Sequence, residues 1–236
     1  MASTVRTDKV GPVSGSADFT LPTADGTAGQ FLKTDGSLAL SFATVAVTGL
    51  NSIQVFTASG TWTRPTGITK VIVEVQGGGG GGSRATANPS VNGGSAGGYA
   101  KKFLDVSSIA TATITIGAAG EGKETVNGIG TDGGDSSWVD GTNTITGVKG
   151  VAGYSSYGQT VGGLGTGGDI NIQGGFGINS VPSRAGDSQF GHGGVNGWTA
   201  ETVPGAGIGY GSGGGGGYSL NGADGAPGII VVHEYK

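Results

Sequence analysis

Residues 53–82, IQVFTASGTWTRPTGITKVIVEVQGGGGGG, decide the fold. Ile53, Val55 and Trp62 are β-formers. Arg64-Pro65-Thr66-Gly67 reads as a turn, with proline presetting φ and glycine supplying a left-handed conformation. Val71, Val73 and Val75 then alternate with Ile72 and Glu74, the period of a strand with one drier face. Six glycines, Gly77 to Gly82, end any ladder built from side chains. Of the 55 glycines in the 236-residue chain, eight lie before Gly77 and 47 from it onward, so the composition changes at this point.

Outward from this stretch, other short strands follow the same logic. Tyr99 to Val106 and Thr111 to Ile116 read as strands, the second with Ala112, Ile114 and Ile116 on one face. Trp138-Val139 and Thr144 to Val148 flank an Asp140-Gly141 turn. Ile229 to Tyr235 is apolar enough for a central strand, expected beside Lys70 to Gln76 and Ile53 to Phe56. No helix is expected, because glycine costs about 1 kcal/mol per helical position and breakers recur throughout. The class is all-β: a β-sandwich with long glycine-rich insertions. Residues 1–50 form an extended and hairpin segment. Within it, Asp25-Gly26 and Asp35-Gly36 predict two small hairpins.

In residues 147–228, glycines recur with period three. Gly147, Gly150 and Gly153 fit, as do Gly162, Gly165 and Gly168; Gly191, Gly194 and Gly197; and Gly222, Gly225 and Gly228. Collagen is excluded by only 7 prolines in the chain and by the broken repeat. Two readings stay open: irregular glycine-rich coil, or packed polyglycine-II-like helices. Such helices have no internal hydrogen bonds, so their N–H and C=O groups must pair with neighbouring runs.

Two resemblances bear on function. Phe56, Ser59 to Thr63 and Pro65, followed by Val71 to Val75 and Gly77 to Gly82, resemble the glycine-rich domain of phage tail-fibre and tail-tip proteins, and Gly225 to Tyr235 resembles its closing strand. ADGTAGQFLKTDGS (24–37) is similar to repeats in the shafts and attachment regions of phage tail proteins. The resemblance implies a virion tail protein made in a host cytoplasm. Residues 1–50 would attach it to other tail or baseplate proteins and form a homotrimer. Residues 51–236 would be a glycine-rich β domain facing a host surface glycan or protein. A purely architectural virion role and an ice-binding glycine bundle are the alternatives.

The remaining chemistry narrows this. Charged residues are 12% of the chain and the net charge is −4, which leaves no basic patch for nucleic acid. Cysteine is absent, so disulfides and thiolate metal sites are out. No run approaches the length of a membrane-spanning helix, and membrane insertion is not expected. Gly163-Leu164-Gly165-Thr166-Gly167-Gly168 matches a dinucleotide fingerprint but follows no apolar strand and opens no helix. No cofactor or metal is expected, and no catalytic set is visible, so the chain reads as a binder rather than an enzyme. Only Asp169, Arg184, Asp187, Glu201 and Asp224 are charged in 150–228. Contact would therefore rest on aromatics presented by loops. The candidates are Tyr154, Tyr157, Phe176, Phe190, His192, Trp198 and Tyr210. For each of these, filling gaps between glycine helices is the competing role.

Overall fold

A computed structural model describes residues 9–10, 18–45, 48–86, 91–154, 158–178, 184–199 and 201–236. The chain forms two units, 1–48 and 49–236. Among the described residues there is no helix, and the class is all-β.

In the first unit Gln30–Thr34 pairs antiparallel with Leu40–Thr44. Asp35 heads the turn, its carboxylate accepting the N–H of Ser37 at 2.7 Å and of Ala39 at 3.1 Å, while Gly36 sits at φ +80°. The second expected hairpin, around Asp25-Gly26, does not form. Gly26 does not take the positive φ that such a turn needs, and the Phe42 ring lies 2.7 Å from where its Cβ would stand. Phe19–Thr20 pairs instead with Lys9–Val10.

The second unit opens with a sandwich of two five-stranded antiparallel sheets. The first runs in the order Ile170–Ile172, Tyr99–Asp105, Lys70–Gln76, Ile229–Tyr235, Leu50–Phe56. The last strand of the chain therefore lies between the two strands at the start of the unit, with Val232 opposite both Val73 and Gln54. The other sheet runs Gly165–Thr166, Thr144–Gly147, Ser136–Val139, Thr111–Thr115, Gly60–Thr63.

Period-2 patterning drives the packing. Val71, Val73, Val75, Leu104, Ile230 and Val232 face Trp62, Ile114, Trp138 and Ile145 across a dry core. Trp62 and Trp138 meet with ring centroids 5.0 Å apart and tilted by 48°, a geometry aromatic pairs favour. Leu50–Phe56 is the exception to the apolar reading. Its inward side chains include Ser52 and Gln54, while Ile53 and Val55 face outward and are exposed. The polar pair has a purpose. Glu234 is fully buried, and its carboxylate accepts hydrogen bonds from Ser52 Oγ (2.5 Å), Gln54 Nε2 (2.7 Å) and Trp62 Nε1 (2.8 Å). A buried carboxylate is tolerated only when its lone pairs are occupied in this way.

Beyond Gln76 the polypeptide leaves the sheet and becomes a helix without side chains. The 77–83 run sends its N–H groups to three neighbours in rotation. Gly77, Gly80 and Ser83 donate to Gly98, Ser95 and Asn92; Gly78 and Gly81 donate to Gly134 and Thr131; Gly79 and Gly82 donate to Ala226 and Ala223. Its carbonyls accept in the same rotation. Gly150 and Gly153 bond Gly78 and Gly81; Gly120 and Lys123 bond Gly79 and Gly82; Gly214 and Gly217 bond Gly80 and Ser83. The run is thus surrounded by three antiparallel runs that accept from it and three parallel runs that donate to it. This is packing at three residues per turn, each backbone group pointing at a different neighbour. The 91–98 and 211–217 runs are also interior, bonded to each other and to 77–83.

The packed-helix reading therefore holds, and it reaches beyond 147–228 to include 77–83, 91–98 and 117–134. Two of the expected triplet runs are shorter than the spacing suggested. Gly165–Thr166 is drawn into the sheet beside Thr144–Gly147, and Gly167 turns the chain at φ +74°. Gly191 pairs with Gly209 in a small hairpin, leaving Gly194 and Gly197 to bond Gly213 and Gly216 in the bundle.

Close approach is what demands glycine. A Cβ on Gly79 would stand 2.0 Å from the Ser212 carbonyl oxygen, and one on Gly82 would stand 2.0 Å from that of Gly215. Neither neighbour is a side chain that could move aside. Gly79→Ala and Gly82→Ala are each expected to cost at least about 3 kcal/mol or to prevent folding. Gly60→Ala, which meets nothing within 4 Å, serves as the control and shifts the thermal midpoint by less than about 2 °C. A tolerated Gly82→Ala would show that the interior runs can separate. Glu234→Gln places an amide among three donors and is expected to lose about 1–3 kcal/mol, read from denaturant unfolding.

Candidate functional site

The bundle has two unlike ends. Ile229 continues directly from the bundle into the sandwich, and Tyr235 lies at the other end of that strand. There Gly49 and Lys236 exchange backbone hydrogen bonds of 3.3 and 3.1 Å. Both termini of the second unit therefore meet at the edge of the sandwich furthest from the bundle. At the opposite pole, glycine runs leaving the sandwich turn round and come back. Among the described residues, the connections 123–128 and 217–222 lie there, together with the ends of four others at Arg84 to Thr86, Tyr154, Ile178 and Trp198. A seven-residue run at about 3.1 Å per residue makes the bundle about 20 Å deep, and a seven-residue strand adds about 23 Å.

Arg84, the first side chain after the six glycines and Ser83, knits this pole together. Its N–H and C=O pair with Gly128 at 3.0 and 3.1 Å. Its guanidinium donates to Asn221 Oδ1 at 2.6 Å, to the Glu124 carbonyl and to the Ser219 carbonyl. Three connections are thereby held by one residue. A cleft of about 500 Å³ opens beside it, lined by Glu121, Lys123, Glu124, Thr125, Thr131 and Asp224. Another of about 420 Å³ is lined by Arg84, Val203, Pro204, Ser219, Leu220 and Asn221. Asp224 Oδ1 accepts the Gly122 N–H at 2.7 Å, and Thr131 Oγ1 accepts that of Glu121 at 2.7 Å, which fix the walls of the first cleft. Sequence reasoning missed Arg84. The available signal was its position as the lone cation closing a poly-glycine run.

The seven aromatic and histidine candidates do not gather in one place. Tyr154 is exposed at the start of a far connection, its carbonyl accepting the Asn92 N–H. Trp198 is half-buried at another. Tyr157 lies outside the described residues. Phe176 is exposed on an outer run. Phe190, His192 and Tyr210 lie on the hairpin Phe190–His192 with Ile208–Tyr210, at the sandwich side of the bundle. Phe190 packs there on Tyr99 with centroids 5.9 Å apart. His192 is largely exposed, with Nδ1 3.8 Å from Asp187 Oδ1.

On the outer face of the first sheet a half-buried carboxylate, Glu74, collects three partners. Tyr99 donates its hydroxyl at 2.7 Å, Lys101 Nζ stands at 3.3 Å and His233 Nε2 at 3.1 Å. Burial alone would raise the Glu74 pKa, but the Tyr99 hydrogen bond and the Lys101 charge outweigh it and hold it below the ordinary 4.5. Burial and the same carboxylate push Tyr99 well above its ordinary value. These pairings satisfy one another and read as structural. Among the described residues no group of three or more acidic, histidine or cysteine side chains is placed to hold a metal.

A β-sandwich continued by a bundle of glycine helices, with connections massed at the pole away from its termini, defines the class. The chain belongs to the glycine-rich domain family, whose model matches residues 55–235. A search of curated proteins finds no match.

Because Glu74 has a lowered pKa in the fold, its contribution is present above pH 4.5 and disappears as pH falls through the folded value. Glu74→Gln is expected to lower the melting temperature by about 2–4 °C at pH 6. The gap to wild type should narrow as pH falls below 4.5. A gap that is constant with pH would mean that shape, not charge, matters at this position.

Proposed function

We propose that the protein is a phage tail-fibre or tail-tip protein. It binds a host-cell surface glycan or protein through the connections at the far pole of its glycine bundle. One observation carries this reading: the termini of the domain lie at one end, and among the described residues the connections 123–128 and 217–222, with Arg84, Tyr154 and Trp198, lie at the other, about 40 Å away by the run and strand lengths. A chain tethered by its first 50 residues would hold those connections outward. Binding loops are generally mounted on rigid scaffolds. This scaffold is held by backbone hydrogen bonds, so the connections are free to carry any contact residue.

The resemblance of residues 24–37 to tail-protein repeats supports a virion setting, with residues 1–50 as the attachment and trimer-forming segment. Recognition then rests on Tyr154, Trp198 and the polar clefts around Arg84, by stacking and hydrogen bonding rather than by catalysis. Contacts on Tyr154 and Trp198 should respond weakly to salt, and contacts in the clefts, lined by Arg84, Glu121, Lys123, Glu124 and Asp224, should weaken as salt rises.

The test is adsorption of labelled full-length protein to a panel of bacterial strains. Tyr154→Ala and Trp198→Ala are expected to weaken binding by about 1–3 kcal/mol each, roughly 5- to 150-fold, with unchanged melting temperature. Phe190→Ala and His192→Ala, on the sandwich-side hairpin, should stay within about twofold of wild type. The reverse pattern would move the receptor surface to that hairpin. Absence of binding to every strain would favour an architectural role.

A further inference from the structure

Around the Glu74 cluster, the outer face of the first sheet carries exposed apolar side chains. Ile53, Val55, Phe103, Ile170 and Ile172 are each 41–57% exposed there. The register places four of them in two rows, with Ile172 beside Tyr99 in a third. Ile53, His233, Ile72 and Phe103 lie side by side, as do Val55, Val231, Glu74, Lys101 and Ile170. Among the described residues Leu50–Phe56 is also an edge strand, bonded on one side only, to Ile229–Tyr235. Its seven residues, LNSIQVF, contain no charge, proline or glycine. Natural sheets guard long edges with such residues, because an open edge recruits another strand. The other free edges of the two sheets are only two to four residues long.

The first unit has the complementary deficit. Its hairpin is a two-stranded sheet, and such a unit is marginal in water without a further strand or a covering layer. Phe31 and Leu32, adjacent and so on opposite faces, are 45% and 49% exposed. The strand Leu40–Thr44, LSFAT, is uncharged like the edge it would join.

We propose that the Leu50–Phe56 edge, with the exposed Ile53 and Val55 on it, receives the Gln30–Thr44 hairpin of a second copy of this chain. Each copy would donate one hairpin and receive another. A head-to-tail contact of this kind builds a closed ring when its rotation permits, and three copies would satisfy the trimer reading of residues 1–50. The contact rests on backbone pairing along the seven-residue edge, with Ile53 and Val55, 51% and 57% exposed on that strand, available to cover the hairpin's apolar side chains. The inference rests on self-association through residues 1–50 and is independent of receptor binding at the far pole.

The absence of native cysteine makes a clean test possible. Leu32→Cys and Val55→Cys are introduced into separately tagged full-length chains, which are co-expressed and then oxidised. A disulfide between the two tagged chains is expected. In parallel, light scattering on the full-length protein should show an oligomer. Val55→Lys, at an exposed position, should shift it to monomer by at least tenfold in dissociation constant, with the melting temperature of the isolated chain retained. Any of three results would overturn the proposal: a monomeric wild type, an oligomer indifferent to Val55→Lys, or a Leu32→Cys/Val55→Cys double variant that links only within one chain. Loss of cell adsorption with the oligomer intact would count against the receptor reading and not against this one.

Discussion

The structure depends on one constraint: the backbone hydrogen bonds of the 77–83 run are made to six other runs and to nothing inside itself. Ordinary secondary structure satisfies a segment's polar groups within a helix or along one or two neighbouring strands. Here each successive N–H needs a different neighbour, so no run can form unless its partners do. Cooperativity is built into the pairing, and the price is Cα atoms so close that most interior positions admit only glycine. The sandwich supplies what the bundle lacks. Its Trp62–Trp138 and valine core is dry and apolar, and its strands hand over directly to glycine runs at Gln76, Gly117, Gly147 and Ile229. Gln76 marks one junction: it is buried, and its Nε2 donates to the Gly97 carbonyl at 2.8 Å, stitching the last strand residue to the second interior run.

The sequence makes the sandwich legible because alternation is a local signal. Val71, Val73 and Val75 are buried as their spacing requires, and Ala112 and Ile114 follow the same rule. Leu50–Phe56 could be placed but not oriented. Ile53 and Val55 look like core residues, yet they face outward because Ser52 and Gln54 are needed inside to serve Glu234. That requirement comes from a residue 180 positions away and leaves no local trace.

The bundle is legible only in part, for a related reason. Glycine triplets at 147–153 and 222–228 mark true runs. Other runs carry Lys123, Thr131, Asn92 or Ser95 at the same spacing, because a side chain is allowed wherever it points away from a neighbour or bonds one. Ser95, for example, donates to the Val161 carbonyl at 2.8 Å and accepts the Val151 N–H at 2.7 Å. Conversely, Gly165 and Gly191 fit the spacing and are taken by strands. The candidate aromatics all fall between glycine runs in the sequence. Connections exist at both poles of the bundle, so that placement does not separate Tyr154 and Trp198 from Phe190 and Tyr210. Arg84 went unseen because its importance lies in three partners distant in the chain.

Rotation of the hydrogen bonds through three directions gives the bundle something like a reading frame. Removing or adding three residues within a run slides its outer connection by one turn, about 9 Å, and returns every remaining residue to a neighbour of the same kind. A change of one or two residues turns the run by a third or two-thirds of a circle and aims side chains at carbonyls 2 Å away. Lineages of this domain can therefore lengthen or retract individual connections in triplets, reshaping the outer pole while the lattice beneath keeps its order.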